Sequence, residues 1–314
     1  MRTFSALIVG AALVASLAAC SSQPLTAADC GIGPKTGDAS ALVTATGSFG
    51  AEPTVDFPTP LITDGIEVTT LITGDGQVLG DSDVADVETY VYEGTSGTFN
   101  TSAVLRAQVG AEGNPFSEMI ACSTVGSRIA VTVPRDDVFQ AGTDGAAVPD
   151  DTVVLVMDIK ARYLGKANGV DQIPQAGIPA VVTAPNGQPG ITIPNETAPT
   201  DLKVAVLKQG DGAVVKENDP VVVNYTGVLW DEDTVFDSTW EQGGAVTVVA
   251  KTLDPADNTG IVEGFKEALV GQKVGSQVIV VVPPESGFGT GTPPTGVSAT
   301  STLVYVFDVL GIQK

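Results

Sequence analysis

Val221-Val222-Val223-Asn224-Tyr225-Thr226-Gly227 decides how the C-terminal half of this 314-residue chain is read. Val221, Val223 and Tyr225 alternate with Val222, Asn224 and Thr226, the period of a strand whose two faces meet different surroundings. The β-branched runs 277–282 and 303–310, bounded by Gly or Pro, read as further strands. One segment changes period: Val262, Phe265 and Leu269 fall on one helical face, and Gly271 stands where a C-cap glycine belongs. The pattern predicts an antiparallel sheet wrapped around one short amphipathic helix, an α+β unit.

The same pattern occurs earlier in the chain. Phe116-Ser117-Glu118-Met119-Ile120-Ala121-Cys122-Ser123-Thr124-Val125-Gly126-Ser127 aligns with Phe265-Lys266-Glu267-Ala268-Leu269-Val270-Gly271-Gln272-Lys273-Val274-Gly275-Ser276 at an offset of 149. The offset holds through Val133-Pro134 against Val282-Pro283 and becomes 150 at Thr152 and Thr302. Upstream, Gly74-Asp75-Gly76 matches Gly210-Asp211-Gly212 at 136, and Tyr92-x-Gly94 is set against Tyr225-x-Gly227 at 133. Two copies of one domain follow, over 54–164 and 200–314, with length differences placed in loops. The Pro- and Gly-rich stretch 165–199 between them reads as an extended, semi-rigid linker, with 191–194 as a piece that could pair on a sheet edge.

Composition narrows the chemistry. Asp and Glu number 37 against 15 Lys and Arg, a formal charge of −22 that repels phosphate backbones and argues against nucleic-acid binding. Histidine is absent, which removes the Ser-His-Asp triad, the HExxH zinc site and any imidazole base. No metal and no cofactor is expected. The acidic group Asp81, Asp83, Asp86 and Glu88 lacks the glycine and terminal Glu of a calcium loop and reads as solvated loop.

The N-terminus reads as an address. Arg2 precedes an apolar run ending in Leu17-Ala18-Ala19-Cys20, the layout of a secretory signal over 1–19. Small residues directly before a cysteine resemble the bacterial lipobox, which makes Cys20 the lipidated mature N-terminus and 20–53 a tether and leading segment. The expected location is extracytoplasmic, with a lipid anchor as the sole membrane attachment. Cys30 and Cys122 then remain as an even pair in a disulfide-permissive compartment, and a bridge between them is expected.

The C-terminal motifs carry a family resemblance. Val221-x-Val223-x-Tyr225-Thr226-Gly227, Phe236-Asp237-Ser238-Thr239, Val262-Glu263-Gly264-Phe265, Val282-Pro283-Pro284-Glu285, Gly287-Phe288-Gly289 and Thr302-Leu303-Val304-Tyr305 follow an order and spacing that resembles the FKBP-type peptidyl-prolyl cis-trans isomerases, over essentially all of 200–314. The resemblance implies two FKBP-like domains. It also implies a pocket in which Tyr225 and Phe236 form one wall with Asp237 beside the phenol. Phe265 is its floor, Tyr305 the far wall, Phe288 and Val297 the loop side, and Val246 and Ile261 the rim. Val262 would offer its backbone N–H to the substrate. Proline-containing exported polypeptides are the implied partners, and a macrolide the implied ligand.

No proton or covalent bond is exchanged in such a reaction, so the missing histidine is no handicap. The sequence departs from the family at Phe265, where tryptophan is familiar, at Phe288, where tyrosine is common, and at Val246, where an aromatic is common. A non-catalytic chaperone or protein-binding lipoprotein on the same scaffold is the alternative.

The first copy reads as worn. Phe99-Asn100 stands for Phe236-Asp237, Pro115 for Gly264 and Leu155 for Tyr305. A wall, a polar contact and the donor-bearing turn change together, and no isomerase activity is expected from 54–164.

Overall fold

The computed structural model describes residues 30–31, 33–139, 151–254, 260–289 and 293–314. The expected signal segment 1–19 and Cys20 lie outside the described residues.

In the N-terminal half, β1 (Thr44–Thr46) pairs with β2 (Thr54–Asp56). A five-stranded sheet follows, built from β3 (Glu67–Ile72), β4 (Val84–Glu93), β5 (Phe99–Gln108), β6 (Arg128–Pro134) and β7 (Thr152–Tyr163). Its order is β3-β6-β7-β4-β5, and every pairing is antiparallel. The short helix α1 (Pro115–Met119) lies on the inner face, and α2 (Arg135–Val138) follows β6. Asn114 caps α1 by accepting from the Phe116 N–H, with Pro115 at the first helical position where its missing donor costs nothing.

The segment expected as an extended, semi-rigid linker contains three short strands. β8 (Val170–Asp171) pairs on the edge of the second sheet, while β9 (Ala180–Thr183) and β10 (Pro189–Thr192) form a separate hairpin. Residues 191 and 192 thus pair within that hairpin rather than on a sheet edge. The second sheet holds β11 (Lys203–Gln209), β12 (Pro220–Leu229), β13 (Thr234–Ser238), β14 (Val246–Val249), β15 (Gln277–Val282) and β16 (Leu303–Ile312), with helix α3 (Glu263–Leu269) on its inner face. Its order is β13-β12-β16-β15-β11-β8, and β14 also pairs with β12.

The two sheets share one plan. β3 and β11 start 136 residues apart, as do β4 and β12, while β6 and β15 start 149 apart. Even the tight approaches repeat. A Cβ on Gly74 would stand 2.3 Å from the Val125 carbonyl oxygen, and one on Gly210 would stand 2.3 Å from that of Val274. Each of these glycines donates its N–H to a serine hydroxyl at 2.9 Å, Ser127 in the first sheet and Ser276 in the second.

Both faces of the central strands are covered, which is why Val153 to Met157 and Val278 to Val282 read as unbroken apolar runs. The inner faces close over α1 and α3. Outside, Ala39 and Val43 of the leading segment, together with Phe57 and Leu61, pack on Tyr90, Tyr92, Val154 and Val156, so the packed first unit includes residues upstream of 54. On the second sheet Ile178, Val181, Ile191 and Ile193 pack on Trp230, Ile279, Val281 and Val304. The Pro-rich composition of 165–199 hid this alternation of apolar side chains. Cys30 and Cys122 form a disulfide, which fastens the leading segment behind α1.

Asp83 and Asp86 depart from the solvated-loop reading. Both are buried, Asp83 against Arg162 at 2.6 Å and Asp86 against Arg106 at 2.7 Å, because desolvated carboxylates require a paired cation. Asp86 also accepts from the Tyr163 hydroxyl and from the Gln313 amide. Tyr163 itself packs with Val84, Val222 and Leu310 where the two sheets meet.

Candidate active site

The site is built on the inner face of β12 and β16. Antiparallel pairing sets Tyr225 opposite Phe307 and Gly227 opposite Tyr305, so alternate residues of both strands face α3. Tyr305 and Phe307 stack nearly parallel at 5.5 Å between ring centroids. Phe265 from α3 meets the Tyr305 ring edge-on at 4.2 Å, and Phe236 from β13 meets it edge-on at 5.5 Å. Tyr225 closes the cluster at 5.6 Å from Tyr305 and 5.7 Å from Phe307. Such edge-to-face contacts match the positive rim of one ring to the negative face of the next.

Gly227 makes the arrangement possible. A Cβ there would lie 2.8 Å from Tyr305 Cε1 and 3.0 Å from Phe236 Cζ, too close for either ring to keep its place.

The polar part of the site lies at one side of this cluster. Tyr225 Oη donates to Asp237 Oδ2 at 2.8 Å, and Gln242 Nε2 donates to Asp237 Oδ1 at 3.1 Å. Burial pushes the Tyr225 phenol well above its ordinary range, and the hydrogen bond to Asp237 adds to this, so it stays a proton donor. Tyr305 is pushed up further, chiefly by its deeper burial. Thr239 pins the turn that follows β13, with Oγ1 donating to Asn224 Oδ1 and accepting from the Tyr225 N–H.

Val262 stands at the N-cap of α3 with extended backbone, and its carbonyl accepts from Phe265 and Lys266. Its own N–H donates to no acceptor among the described residues. Ile261, Phe288 and Val297 belong to the same apolar core as these rings, whereas Val246 is 38% exposed and stands outside it. The structure therefore brings together Tyr225, Phe236, Asp237, Phe265 and Tyr305, keeps Ile261, Phe288 and Val297 in the same core, and places Val262 at the N-cap of the helix that carries Phe265. Sequence reasoning missed Phe307 and Gln242. Phe307 could have been found, since it lies two residues beyond Tyr305 and so on the same face. Nothing local marks Gln242, which the turn alone brings to Asp237.

Register corrects the reading of the first copy. The β4–β7 pairing sets Thr89 opposite Met157 and Val91 opposite Leu155. Thr89 and Val91 are therefore the counterparts of Tyr225 and Gly227, at the same offset of 136 that relates the strands. Tyr92, set against Tyr225 on the Tyr-x-Gly match, lies three positions away. An odd shift flips a side chain to the other face. Tyr92 accordingly packs outward with Phe57 and Leu61, and its hydroxyl donates to the Pro53 carbonyl. Phe99-Asn100 is displaced by one for the same reason. Thr101 pairs with Val91 as Asp237 pairs with Gly227, and Phe99 is exposed beside Tyr92.

The register-matched positions of the first copy differ from those of the second at every ring that the sheet contributes. Val91 fills the space that Gly227 leaves for rings, Leu155 and Met157 replace Tyr305 and Phe307, and the Thr89 hydroxyl is buried without a partner. The first unit also lacks thirteen residues that the second has between the β12–β13 hairpin and the helix, since the offset rises from 136 to 149. That length forms the turn 239–245 and the approach to Val262. In the first unit β5 simply runs on unbroken.

Comparison with known proteins agrees with this geometry. The family model for the FKBP-type peptidyl-prolyl cis-trans isomerase matches residues 212–310. A probable FK506-binding protein of Corynebacterium glutamicum is 30% identical over 126 residues, covering 39% of this chain and 97% of that protein. The peptidyl-prolyl cis-trans isomerase Mip of Coxiella burnetii is 30% identical over 135 residues, covering 43% of this chain and 53% of Mip. The FKBP-type isomerase FkpA of Escherichia coli is 33% identical over 118 residues, covering 38% of this chain and 40% of FkpA. The chain thus spans about half or less of the length of those two relatives. It belongs to the FKBP-type peptidyl-prolyl cis-trans isomerase family.

Proposed function

We propose that the second unit isomerises X-Pro bonds of exported polypeptides by stabilising the twisted amide without covalent chemistry, and that the first unit is not an isomerase. The observation that carries this reading is the apolar cluster of rings with two polar features beside it, the Tyr225–Asp237 pair and the Val262 N–H, which has no acceptor among the described residues. Rotation of the X-Pro amide faces a barrier of about 18–20 kcal/mol. The twisted form has lost amide resonance and is less charge-separated than either planar form. An apolar enclosure favours it over the planar ground state, which is the differential binding catalysis requires. The Val262 N–H would hold the chain on one side of the bond while the prolyl ring turns against Phe265 and Tyr305.

Export and anchoring belong to the same proposal, with Cys20 as the lipidated residue and the outer face of the membrane as the location. A macrolide would enter the same enclosure, with weaker support because Phe265 offers no indole N–H and Val246 stands exposed. Phe265 and Phe288, which lack the N–H and the hydroxyl familiar at those positions, are what favours the non-catalytic reading. Refolding of a soluble protein limited by a non-native prolyl bond tests the activity: the full chain should accelerate the slow phase, and failure to do so would leave the non-catalytic binder. Labelling with a radioactive fatty acid in a bacterial host, lost in Cys20→Ala, tests the anchor.

A further inference from the structure

β5 ends the first sheet with an open edge. The strand pairs with β4 along its length and has no strand on its other side among the described residues. Phe99 to Val104 are exposed on both faces, Val104 at 67%. A strand edge is a row of N–H and C=O groups spaced to receive another chain, and proteins shield such rows with proline, lysine, bulges or cover. Phe99-Asn100-Thr101-Ser102-Ala103-Val104 has no charge, no proline and no glycine, and its one register shift, at Asn100, leaves 101–104 in regular pairing with β4. Other edges are treated differently. At β3 the Val68 N–H donates to the Lys35 carbonyl, β8 covers β11, and the counterpart of β5 in the second sheet is broken at 239–245.

We propose that this edge is a strand-addition site for an extended, uncharged or basic segment of an unfolded polypeptide. Asn100, Thr101, Ser102 and Ala103 are small and form no pocket, so binding comes through the backbone, which any unfolded chain offers. The net charge of −22 repels a second copy of this chain and favours neutral or basic partners. Arg106 Nη1 donates to Thr247 Oγ1 at 2.9 Å, which sets the far half of β5 against β14 of the second sheet. A polypeptide held on β5 therefore lies beside the isomerase unit. The proposal rests on β5 alone and stands whether or not that unit is catalytic.

Amide hydrogen exchange on the full chain tests it, with a proline-free synthetic peptide of alternating Val and Thr and a Lys at each end. Exchange in 99–104 should slow on adding the peptide. The same peptide with alternate amides N-methylated should bind about tenfold more weakly or worse, since several backbone bonds are lost. Neighbouring residues on a strand point their N–H groups in opposite directions. Of Thr101→Pro and Ser102→Pro, the one that removes an outward N–H should lose binding while keeping its melting temperature. Equal binding of the N-methylated peptide, protection at 225–305 instead of 99–104, or no protection at all would overturn the proposal. So would a concentration-dependent dimer that protects β5 without peptide, which would make a second copy the occupant.

Discussion

Gly227 and Tyr305 face each other across β12 and β16 so closely that a single added carbon at 227 would stand 2.8 Å from the Tyr305 ring. The first unit has Val91 and Leu155 at the same two register positions. One pair leaves room for an aromatic enclosure and the other fills it, and this difference separates a candidate isomerase site from an ordinary core. Gly227→Ala should therefore lower kcat/KM at least about tenfold, because Tyr305 and Phe236 must move. The stability loss should be in the range of about 1–3 kcal/mol expected of overpacking. Peptide isomerisation kinetics alongside a urea midpoint measures both, and unchanged kinetics would remove these rings from the reaction.

The Tyr225–Asp237 pair gives a prediction about pH. Tyr225 is held protonated by burial and by Asp237, and the chain has no histidine. Activity should accordingly stay flat from about pH 6 to 9, where an unperturbed imidazole or thiol would bring a step. Tyr225→Phe leaves Asp237 with Gln242 as its side-chain donor and should cost activity while the domain stays folded. A bell-shaped profile in that window would contradict the assignment.

A buried charge distinguishes the two outer faces. In the first unit Arg128 and Asp158 form a fully buried ion pair at 2.6 Å, with the guanidinium also donating to the carbonyls of Gly47, Ser48 and Ala51. Arg128→Ala leaves Asp158 unpaired in the interior and should cost about 3–5 kcal/mol. A denaturant midpoint for the first transition measures this, and a loss under about 1 kcal/mol would contradict it.

In the second unit the same positions hold Gln277 and Asp308, and among the described residues no cation bonds Asp308, on which Lys208 and Lys166 act only through their charge. The Asp308 carboxyl accepts from Gln277 Nε2 and from the Ala167 N–H, both at 2.8 Å, and burial pushes it up to about 6. A carboxyl raised on folding stabilises fully below its unfolded value near 4, and that contribution is lost as pH rises through about 6. Asp308→Asn loses one of these two acceptors, since its amide nitrogen cannot accept, but it escapes the pH-dependent loss. Relative to pH 4, a gap in its favour of on the order of 3 kcal/mol at most should therefore open as pH rises to 7. The gap should close towards pH 4. Melting temperatures across pH 4–7 report it, and a gap independent of pH would refute it.

Much of this was legible in the chain because the repeat preserves its turn residues. Gly74, Gly210, Ser127 and Ser276 keep the same contacts in both units, so the offsets of 136 and 149 could be read before any geometry. The enclosure was legible as well, since Tyr225, Phe236, Phe265 and Tyr305 sit in motifs of fixed order. Strand register was not. Tyr92-x-Gly94 imitates Tyr225-x-Gly227, and only the cross-strand partner of each residue shows that Tyr92 faces outward. The cover of the outer faces was hidden too, because Ile178, Val181, Ile191 and Ile193 are spaced among prolines and glycines that suggest an extended tether.

The central claim is that one of two similarly built units carries the reaction, at the aromatic enclosure of β12, β16 and α3. Exchange NMR on a short X-Pro peptide with the full chain and with its Phe236→Ala variant tests this most directly. The account predicts catalysed cis–trans exchange by the parent chain and a return to the uncatalysed rate in the variant, with its fold intact by circular dichroism. Undiminished exchange in a folded Phe236→Ala chain would place the activity elsewhere and contradict the account.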